Sequence, residues 1–346
     1  MNFLRKILFP LAIMYWLVTY IRNLLYDSGI FKSYSFDIPI IAVGNLSVGG
    51  TGKTPQIEYL IRLLSKDYKV AVLSRGYKRA TEGFVLADEN ATAASIGDEP
   101  FQFYSKFPHI QVAVDADRRN GIEQLLNSST KPDLILLDDA FQHRKVKAGF
   151  YILLTAYDDL FSDDYSLPFG NLREPSSGKK RANVIIVTKC PKDLSELAQS
   201  EIMRKLKVKQ LVFFTTIFYD DYVFGADQKI KTEVIQTEEK VLVAGIAKPK
   251  LFFDFLKTDK DETMLFPDHH SFSEQDCDQI LATAKGRKII TTEKDYVRLN
   301  GLLPKEQLFY LPIKSVFLNS RNIDKTIKDY VEIGRASCRE RVSAEV

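Results

Sequence analysis

One segment near the N-terminus constrains the fold more than any other part of the chain. Residues 40–43 form an apolar run typical of a buried strand, residues 44–54 are rich in glycine and end in Gly-Lys-Thr, and an amphipathic helical pattern follows. A strand, a glycine-rich turn and a helix in this order form a loop whose backbone N–H groups wrap nucleotide phosphates. The segment therefore predicts a nucleoside triphosphate site in an α/β fold.

The chemistry of this loop assigns a role to individual residues. Lys53 is expected to reach the β/γ-phosphate oxygens, the Thr54 hydroxyl to ligate Mg²⁺, and the helix N-terminus to add partial positive charge. The strict pattern has glycine at position 47, where this chain has Ser47, and an ordinary glycine-rich strand–helix turn is the alternative. The predicted phosphate-binding residues are Ser47, Val48, Gly49, Gly50, Thr51, Gly52, Lys53 and Thr54.

Length and charge narrow the class of protein. The chain has 346 residues, enough for two domains with a sizeable core, and its net charge of +3 gives no basis for nucleic-acid binding. Its three cysteines lie far apart without metal-ligand spacing, which indicates a reducing compartment and no disulfide framework.

The first 28 residues form an unusual apolar segment. Residues 7–21 carry no charge, hold Tyr15, Trp16 and Tyr20, and are flanked by Arg5-Lys6 and Arg22. The run is shorter than the ~20 residues that span a bilayer. A cleaved signal peptide and a buried structural helix are alternatives, but we favour a helix that lies in the membrane interface.

Beyond residue 37, short β-rich runs alternate with helical stretches, which predicts a mostly parallel sheet with helices on both faces, similar to phosphate-loop NTPases. A polar stretch at 227–240 follows an expected β pair at 210–217 and 222–225, and a second, smaller α/β series then begins. The predicted strands are 39–43, 69–73, 110–114, 133–137, 150–154 and 184–188, and the helices are 53–65, 98–106, 118–126 and 193–206.

These patterns divide the chain into an N-terminal helix, two α/β domains and a connection between them. The final residues lack a core-facing periodicity, so we predict a non-native extension there. The predicted ranges are 1–28 for the helix, 29–215 for the phosphate-loop domain, 216–240 for the linker, 241–333 for the smaller domain and 334–346 for the extension.

Polar residues follow several of the predicted strands. Asp138 and Asp139 end an apolar strand, where a carboxylate can face a metal ion near the loop threonine, although an aspartate pair can also simply initiate a turn. Gln142 and His143 come next. A lone histidine is more often structural than catalytic, but beside a possible metal carboxylate the two roles are equally compatible with the sequence. Asp98 begins a helix, where cap and general base are equally compatible with the sequence.

Charged loops supply further candidates. Arg75, Arg118 and Arg173 follow strands or lie in long loops, where arginines can clamp an anionic group or simply stay solvated. The basic loop at 176–181 can likewise be a solvated turn or contact anionic headgroups. In the second half, residues 267–270 read Pro-Asp-His-His without metal-ligand spacing, so a catalytic or orienting histidine is the sharper interpretation.

Taken together, these motifs resemble one family, the tetraacyldisaccharide 4′-kinases that phosphorylate a lipid A precursor in Gram-negative bacteria. The similarity runs from the N-terminal helix to about residue 298, nearly the whole native chain. The loop at 44–55 is highly specific to the family. Its other signatures are similar to residues 74–77, 97–100, 138–143, 172–175 and 291–295.

The resemblance implies ATP-dependent phosphorylation of the 4′-hydroxyl of a tetraacylated glucosamine disaccharide 1-phosphate, with Mg²⁺. It implies that Asp98 is the base paired with a histidine, and that an arginine lies near the phosphates. The histidine is His269 or its neighbour His270, of which we favour His269, and the arginine is Arg118 or its neighbour Arg119. The implied metal ligands are Thr54, Asp138 and Asp139, the implied catalytic residues are Asp98, His269, Lys53 and Arg118, and the implied substrate-binding residues are Arg75, Gln142, His143, Asn171, Arg173 and Glu174.

The same resemblance implies a peripheral protein on the cytoplasmic face of the inner membrane, with the lipid A precursor and the membrane surface as partners and no obligate protein partner. A phosphate-loop GTPase or ATPase switch, or a metallochaperone-type protein, is the rival hypothesis. The chain has no clear Asn-Lys-x-Asp guanine reader, since Thr188-Lys189-Cys190 is the nearest fragment.

Overall fold

The computed structural model describes residues 7–318 and 322–344, with side chains through residue 336. These residues fold into two mixed, mostly parallel β-sheets with helices packed around them. The strands are β1 (Ile40–Asn45), β2 (Val70–Ser74), β3 (Val85–Leu86), β4 (Gln111–Val114), β5 (Leu134–Leu137), β6 (Phe150–Ala156), β7 (Val184–Thr188), β8 (Leu211–Tyr219), β9 (Tyr222–Phe224), β10 (Lys229–Lys231), β11 (Lys240–Ala244), β12 (Glu262–Leu265), β13 (Lys288–Thr292), β14 (Leu308–Leu311) and β15 (Ile313–Phe317).

The helices fill the connections between the strands. Two short 3₁₀ turns, Phe161–Asp163 and Ser176–Arg181, lie in the loops. The α-helices are α1 (Phe9–Asp27), α2 (Lys53–Leu64), α3 (Ala93–Ile96), α4 (Asp98–Lys106), α5 (Arg118–Leu126), α6 (Glu196–Leu206), α7 (Thr232–Thr237), α8 (Lys250–Leu256), α9 (Glu274–Ala284), α10 (Glu293–Leu299) and α11 (Ile323–Ala344).

The larger sheet has β1 near its centre, and its order in the described residues is β15-β8-β7-β6-β1-β5-β2-β4-β3. All adjacent strands of this sheet run parallel except the two edge pairs, β3 with β4 and β15 with β8. Ile41 faces the apolar cluster that contains Ile57 of α2, whereas Ile40 faces the cluster that contains Ile122 of α5. Both faces are therefore buried, which is why the strands of this sheet read as continuous apolar runs.

The smaller sheet has the order β10-β9-β14-β13-β11-β12 in the described residues. β11 pairs in parallel with β12 and β13, and β9 pairs antiparallel with both β14 and the edge strand β10. Its two faces carry separate apolar clusters around Phe309 and Ile280.

The sequence predicted most of the elements but not their distribution between the sheets. The six strands and four helices predicted before residue 210 are confirmed to within a few residues. The expected β pair is wrong, because β8 lies in the larger sheet and β9 in the smaller one. The segment 216–240, predicted as a linker, holds β9, β10 and α7, and the chain returns to the larger sheet from β15 onward. Strand periodicity identifies a strand but does not identify the sheet it joins.

The N-terminal helix α1 leaves most of its apolar surface in solvent. Large apolar side chains along it are exposed, among them Leu11, Met14 and Val18, whereas Ala12 and Asn23 are its buried residues. Within 7–318 and 322–344, no helix has both the length and the apolarity needed to cross a bilayer. Residues 1–6 of the predicted membrane segment lie outside the described residues.

The predicted C-terminal extension continues the last helix. Helix α11 runs through Ala344, and its Arg335 guanidinium lies 2.8 Å from Asp133 Oδ1. Residues 345 and 346 lie outside the described part of the chain, and the origin of the extension stays a prediction.

Candidate active site

A cavity of about 960 Å³ lies where the carboxyl ends of the larger sheet's strands meet loops of the smaller sheet. Ligands in open α/β sheets gather at this end of the strands. Its wall comes from helix α1, the loop before α2, the residues after β2, β5 and β7, and the loops after β11 and β12. The exposed apolar helix α1 and the Gly-Lys-Thr loop thus line the same cavity.

The glycine-rich loop has the backbone shape that its sequence predicts. Gly49 and Gly52 have φ angles of 109° and 84°, a region that glycine enters without the cost of a Cβ. Thr188 on β7 donates a 2.8 Å hydrogen bond from its hydroxyl to the Thr51 carbonyl and fixes the loop against the sheet. All eight predicted phosphate-binding residues, 47–54, line the cavity.

Lys53 lies at the first position of α2, close to the paired aspartates. Its Nζ is 3.7 Å from Asp139 Oδ1 and 3.4 Å from Asn45 Oδ1. Arg173 donates two hydrogen bonds to the same Asp139 carboxylate, at 2.8 and 3.1 Å. Burial opposes ionisation of Asp139, but Lys53 and Arg173 outweigh it and lower the Asp139 pKa to about 2. Asp139 is therefore ionised throughout the physiological range.

Asp138 has the opposite electrostatic environment. Burial, reinforced by the Asp139 charge, raises the pKa of Asp138 to about 6. Its carboxylate accepts a 2.9 Å hydrogen bond from the Ser74 hydroxyl but forms no ion pair with any described residue. A buried carboxylate without a cationic partner, facing Thr54 across the same cavity, has the chemistry of a divalent-cation ligand.

Asp98 does not itself line the cavity in the described structure, but its chain neighbour Glu99 and its partner His269 do, and Asp98 connects the two sheets. It begins α4, and Arg298 of α10 donates to its Oδ2 from both Nε and Nη2, the first at 2.8 Å. His269 Nδ1 lies 3.6 Å from the same oxygen. Burial would raise the pKa of Asp98, but the hydrogen bonds of His269 and Arg298 and the charges of Arg298 and Lys294 lower it to about 2. A carboxylate, an imidazole and two cations thus form one cluster.

The structure distinguishes between the two adjacent histidines. His269 lines the cavity and contacts Asp98, whereas His270 bonds Asp276 at 3.0 Å and stacks on Phe266. Of the two histidines, His269 is therefore the one that lies at the cavity and beside Asp98.

The arginine predicted to lie near the phosphates is buried behind the aspartate pair. Arg118 is 1% exposed, and its guanidinium donates to the backbone carbonyls of Asp115 and Asp138. Arg119 pairs with Glu123 at 2.7 Å and covers the Tyr34 ring. Neither side chain lines the cavity in the described structure. Arg118 instead holds the backbone that carries the aspartate pair.

The predicted substrate-binding residues separate into two groups. Arg75, Gln142, His143 and Arg173 line the cavity. Arg75 has no hydrogen-bond or ion-pair partner among the described residues, and its guanidinium faces the cavity as an available cation. Burial, with Arg118 and Arg75 adding to it, lowers the pKa of His143 to about 4, so its imidazole is neutral at pH 7.

Asn171 and Glu174 do not line the cavity in the described part of the chain. The Asn171 carbonyl accepts a 2.8 Å hydrogen bond from Val48 N and so supports the glycine-rich loop. Glu174 is buried, accepts two hydrogen bonds from Arg181 at 2.8 and 2.9 Å, and accepts one from Asn23 of α1 at 2.8 Å. Glu174 thus anchors the N-terminal helix to the site.

Sequence reasoning missed several lining residues. Tyr15, Thr19 and Arg22 face the cavity from α1, and their spacing of four and three residues on an otherwise apolar helix is the signal that could have found them. Lys294 also lines the cavity, inside a motif that the sequence singled out without assigning a role.

An α/β fold in which a triphosphate-type loop faces a carboxylate–imidazole pair is the arrangement expected of a nucleotide-dependent phosphotransferase. The sequence profile of the family described as "Tetraacyldisaccharide-1-P 4′-kinase" (LpxK) matches residues 4–332. A tetraacyldisaccharide 4′-kinase of Flavobacterium johnsoniae is 64% identical over 335 residues, which cover 96% of this chain and 98% of that protein. One from Bacteroides fragilis is 45% identical, with 95% and 93% covered.

A solved structure agrees with these matches. The crystal structure of LpxK from Aquifex aeolicus in complex with ATP is 29% identical to this chain, has a TM-score of 0.76 and covers 95% of this chain and 99% of its own. The chain belongs to the tetraacyldisaccharide 4′-kinase family, and the resemblance drawn from its motifs is confirmed.

Proposed function

We propose that this protein transfers the γ-phosphoryl group of ATP to the 4′-hydroxyl of a tetraacylated glucosamine disaccharide 1-phosphate, a step of lipid A biosynthesis. The observation that carries the proposal is that the Lys53 loop and His269, the partner of Asp98, line one cavity. Family membership and the ATP complex of the A. aeolicus relative support it.

The loop and its cations supply the nucleotide half of the reaction. The N–H groups of residues 47–54 can bind the phosphate oxygens, and Lys53 can offset charge on the transferred group. Thr54, Asp138 and Asp139 would hold Mg²⁺. When bound, the cation would neutralise charge on the β- and γ-phosphates. The unpaired, buried Asp138 carboxylate supports this assignment.

Asp98 is the group proposed to receive the hydroxyl. Its Oδ2 is bonded to Arg298, and no described residue bonds its Oδ1. We propose that Oδ1 accepts a hydrogen bond from the 4′-hydroxyl and holds that oxygen in line with the phosphate. Arg75, Gln142, His143 and Arg173 form the proposed substrate-binding wall, and Arg75 is the cation best suited to an anionic group of the lipid. Asn171 and Glu174 support that wall indirectly.

One assay tests the proposal against the nucleotide-switch alternative. Purified full-length protein is incubated with γ-labelled ATP or GTP, with and without the tetraacyldisaccharide 1-phosphate. Label from ATP is expected in the lipid, and a Lys53→Met variant is expected to transfer none. Label found only in free phosphate, or a preference for GTP without lipid transfer, contradicts the proposal.

We also propose that the exposed face of α1 lies on the cytoplasmic surface of the inner membrane, as a peripheral helix that brings acyl chains to the cavity. Leu11, Met14 and Val18 are all more than half exposed, whereas Tyr15 and Arg22 of the same helix line the cavity. Apolar side chains on such a helix gain free energy when they enter the headgroup region.

A variant with Leu11→Gln, Met14→Gln and Val18→Gln is expected to shift from the membrane pellet to the supernatant, with at least about a tenfold lower vesicle affinity because apolar area is lost. Co-sedimentation with anionic vesicles measures it. These substitutions are preferable to deletion of residues 1–25, because deletion also removes the buried Asn23 bond to Glu174. The matched control replaces three exposed leucines elsewhere, Leu197, Leu265 and Leu302, and should bind as wild type. Equal pelleting of both variants would refute the role of α1.

A further inference from the structure

Lys294 is a cavity-lining cation to which the proposed reaction assigns no role. Its Nζ lies 2.8 Å from His269 Nε2, 3.0 Å from Glu99 Oε1 and 3.8 Å from Asp268 Oδ1. Glu99 and Asp268 are the chain neighbours of Asp98 and His269, respectively. One ammonium group therefore contacts both segments that carry the carboxylate–imidazole pair.

The contact with His269 determines which ring nitrogen carries the proton. A lysine ammonium only donates hydrogen bonds, so Nε2 must act as the acceptor in the neutral imidazole. The proton then resides on Nδ1, which faces Asp98 Oδ2 at 3.6 Å. Arg298 Nη2 also lies near Nδ1, at 3.3 Å, and it donates to Asp98 Oδ2 as well. Each ring nitrogen thus faces a cationic donor, and a neutral imidazole can accept at only one of them. The shorter contact at Nε2 decides the tautomer.

The surrounding fold holds Lys294 in this position. Lys294 and Arg298 are four residues apart, so both cations project from one face of α10. The start of α10 is fixed by Thr292, whose hydroxyl accepts from Asp295 N, and by the buried Asp295 carboxylate, which accepts from Gly245 N at 2.8 Å. His269 itself has a φ of 58°, a left-handed backbone that persists only where neighbouring contacts support it.

Resting on the proposed function, we propose that Lys294 is a positioning residue that fixes His269 as the Nδ1-protonated tautomer. The Nδ1–H of His269 then points towards Asp98 Oδ2, 3.6 Å away, on the same side of the carboxylate as the two donors of Arg298. These groups cluster at one oxygen, Oδ2, and the other oxygen, Oδ1, is left to accept the hydrogen bond of the substrate hydroxyl. A tautomer protonated at Nε2 would point its N–H at an ammonium and would present no N–H to Asp98.

The decisive measurement is the tautomer, read by ¹H–¹⁵N correlation spectra of protein with ¹⁵N-labelled histidine. The chain has four histidines, and a His269→Gln variant identifies the signal of His269 by its absence. Wild-type protein is expected to show the Nδ1-protonated pattern. Lys294→Met is expected to move the signal towards the Nε2-protonated pattern, and Lys294→Arg, which keeps a donor, to retain the wild-type pattern.

Kinetics supply the second readout. Lys294→Met is expected to lower kcat by about tenfold, within the range of misplaced acid–base groups, with the KM for ATP within about threefold of wild type. Lys305→Met is the matched control, because Lys305 forms an exposed pair with Asp227 away from the cavity. An Nε2-protonated His269 in the wild type, or the same tautomer in Lys294→Met as in wild type, overturns the inference.

The spectra need no turnover, and the wild-type spectrum alone tests the tautomer even where a variant fails to fold. A wild-type enzyme that never labels lipid contradicts the proposed function, whereas a wrong tautomer contradicts only the role of Lys294.

Discussion

Replacing Asp98 with alanine is expected to lower kcat by about 10²–10⁴-fold, the usual size of a general acid–base contribution, while the KM for ATP changes by less than about threefold. Asp98 contacts His269 and Arg298 but none of the residues of the phosphate loop. Its loss should therefore affect the hydroxyl and leave the nucleotide in place. Steady-state kinetics with the lipid substrate, together with calorimetric titration of ATP, measure the two effects separately.

The low pKa of Asp98 refines the role of this residue. A carboxylate with a pKa of about 2 has little affinity for a proton until the attacking oxygen becomes acidic. Phosphoryl transfer through a loose transition state delays proton loss from the nucleophile until bond formation is advanced. Asp98 is thus expected to orient the hydroxyl first and to accept its proton late. Accordingly, kcat should show no titration of Asp98 between pH 5 and 9.

A second aspartate–histidine pair provides the control. Asp276 bonds His270 at 3.0 Å, and hydrogen bonds from Ser273 and His270 lower the Asp276 pKa to about 2 as well, but His270, unlike His269, does not line the cavity in the described structure. Asp276→Ala removes a helix cap and should leave kcat near the wild-type value. Turnover of Asp98→Ala equal to that of Asp276→Ala would remove Asp98 from the mechanism.

The parts of the site that the sequence predicted are the residues that directly follow a strand in the chain. The loop at 47–54 and the pair Asp138–Asp139 each follow a strand, and the carboxyl ends of parallel strands meet at one edge of a sheet. The positions of these residues therefore follow once the strands are recognised. The same reasoning places Asp98 at the start of a helix, although the sequence left cap and base equally compatible.

The rest depends on contacts between residues that are distant in the sequence. Arg298 lies 200 residues from Asp98, and no periodicity links the two. In the sequence, Arg118 appears as a charge that follows a strand and Glu174 as a charge in a long loop, but Arg118 satisfies buried backbone carbonyls and Glu174 binds Arg181 and Asn23. The sequence therefore did not show that these charged side chains are buried. Each is buried because it bonds partners that the local sequence pattern does not identify.

One such contact joins the two sheets and carries the largest expected effect on stability. Lys106, the last residue of α4, forms an ion pair with Glu58 Oε2 of α2 at 2.8 Å and another with Glu293 Oε1 of α10. Glu58 and Glu293 are 1% and 8% exposed. A single ammonium thus neutralises two buried carboxylates, each on a helix that packs beside a different sheet. Arg62 is also bonded to Glu58.

Lys106→Met is expected to lower the free energy of unfolding by about 3–5 kcal/mol, because it leaves buried carboxylates without their common partner. Burial and the neighbouring Glu58 charge already raise the pKa of Glu293. A carboxyl whose pKa is higher in the folded state binds more protons there, so stability falls as the pH rises above the usual glutamate value. The loss in Lys106→Met should therefore be larger at pH 8 than at pH 5.5, as measured by urea denaturation at both pH values.

Two further variants show whether the buried charge is the cause. Lys106→Met combined with Glu293→Gln removes one of the stranded carboxylates, and it should recover part of the lost stability and most of the added pH dependence. Lys328→Met breaks an exposed ion pair with Asp67 and should leave the unfolding curve unchanged. If Lys106→Met unfolds like Lys328→Met at pH 8, the two carboxylates do not depend on Lys106, and another contact holds the two sheets together.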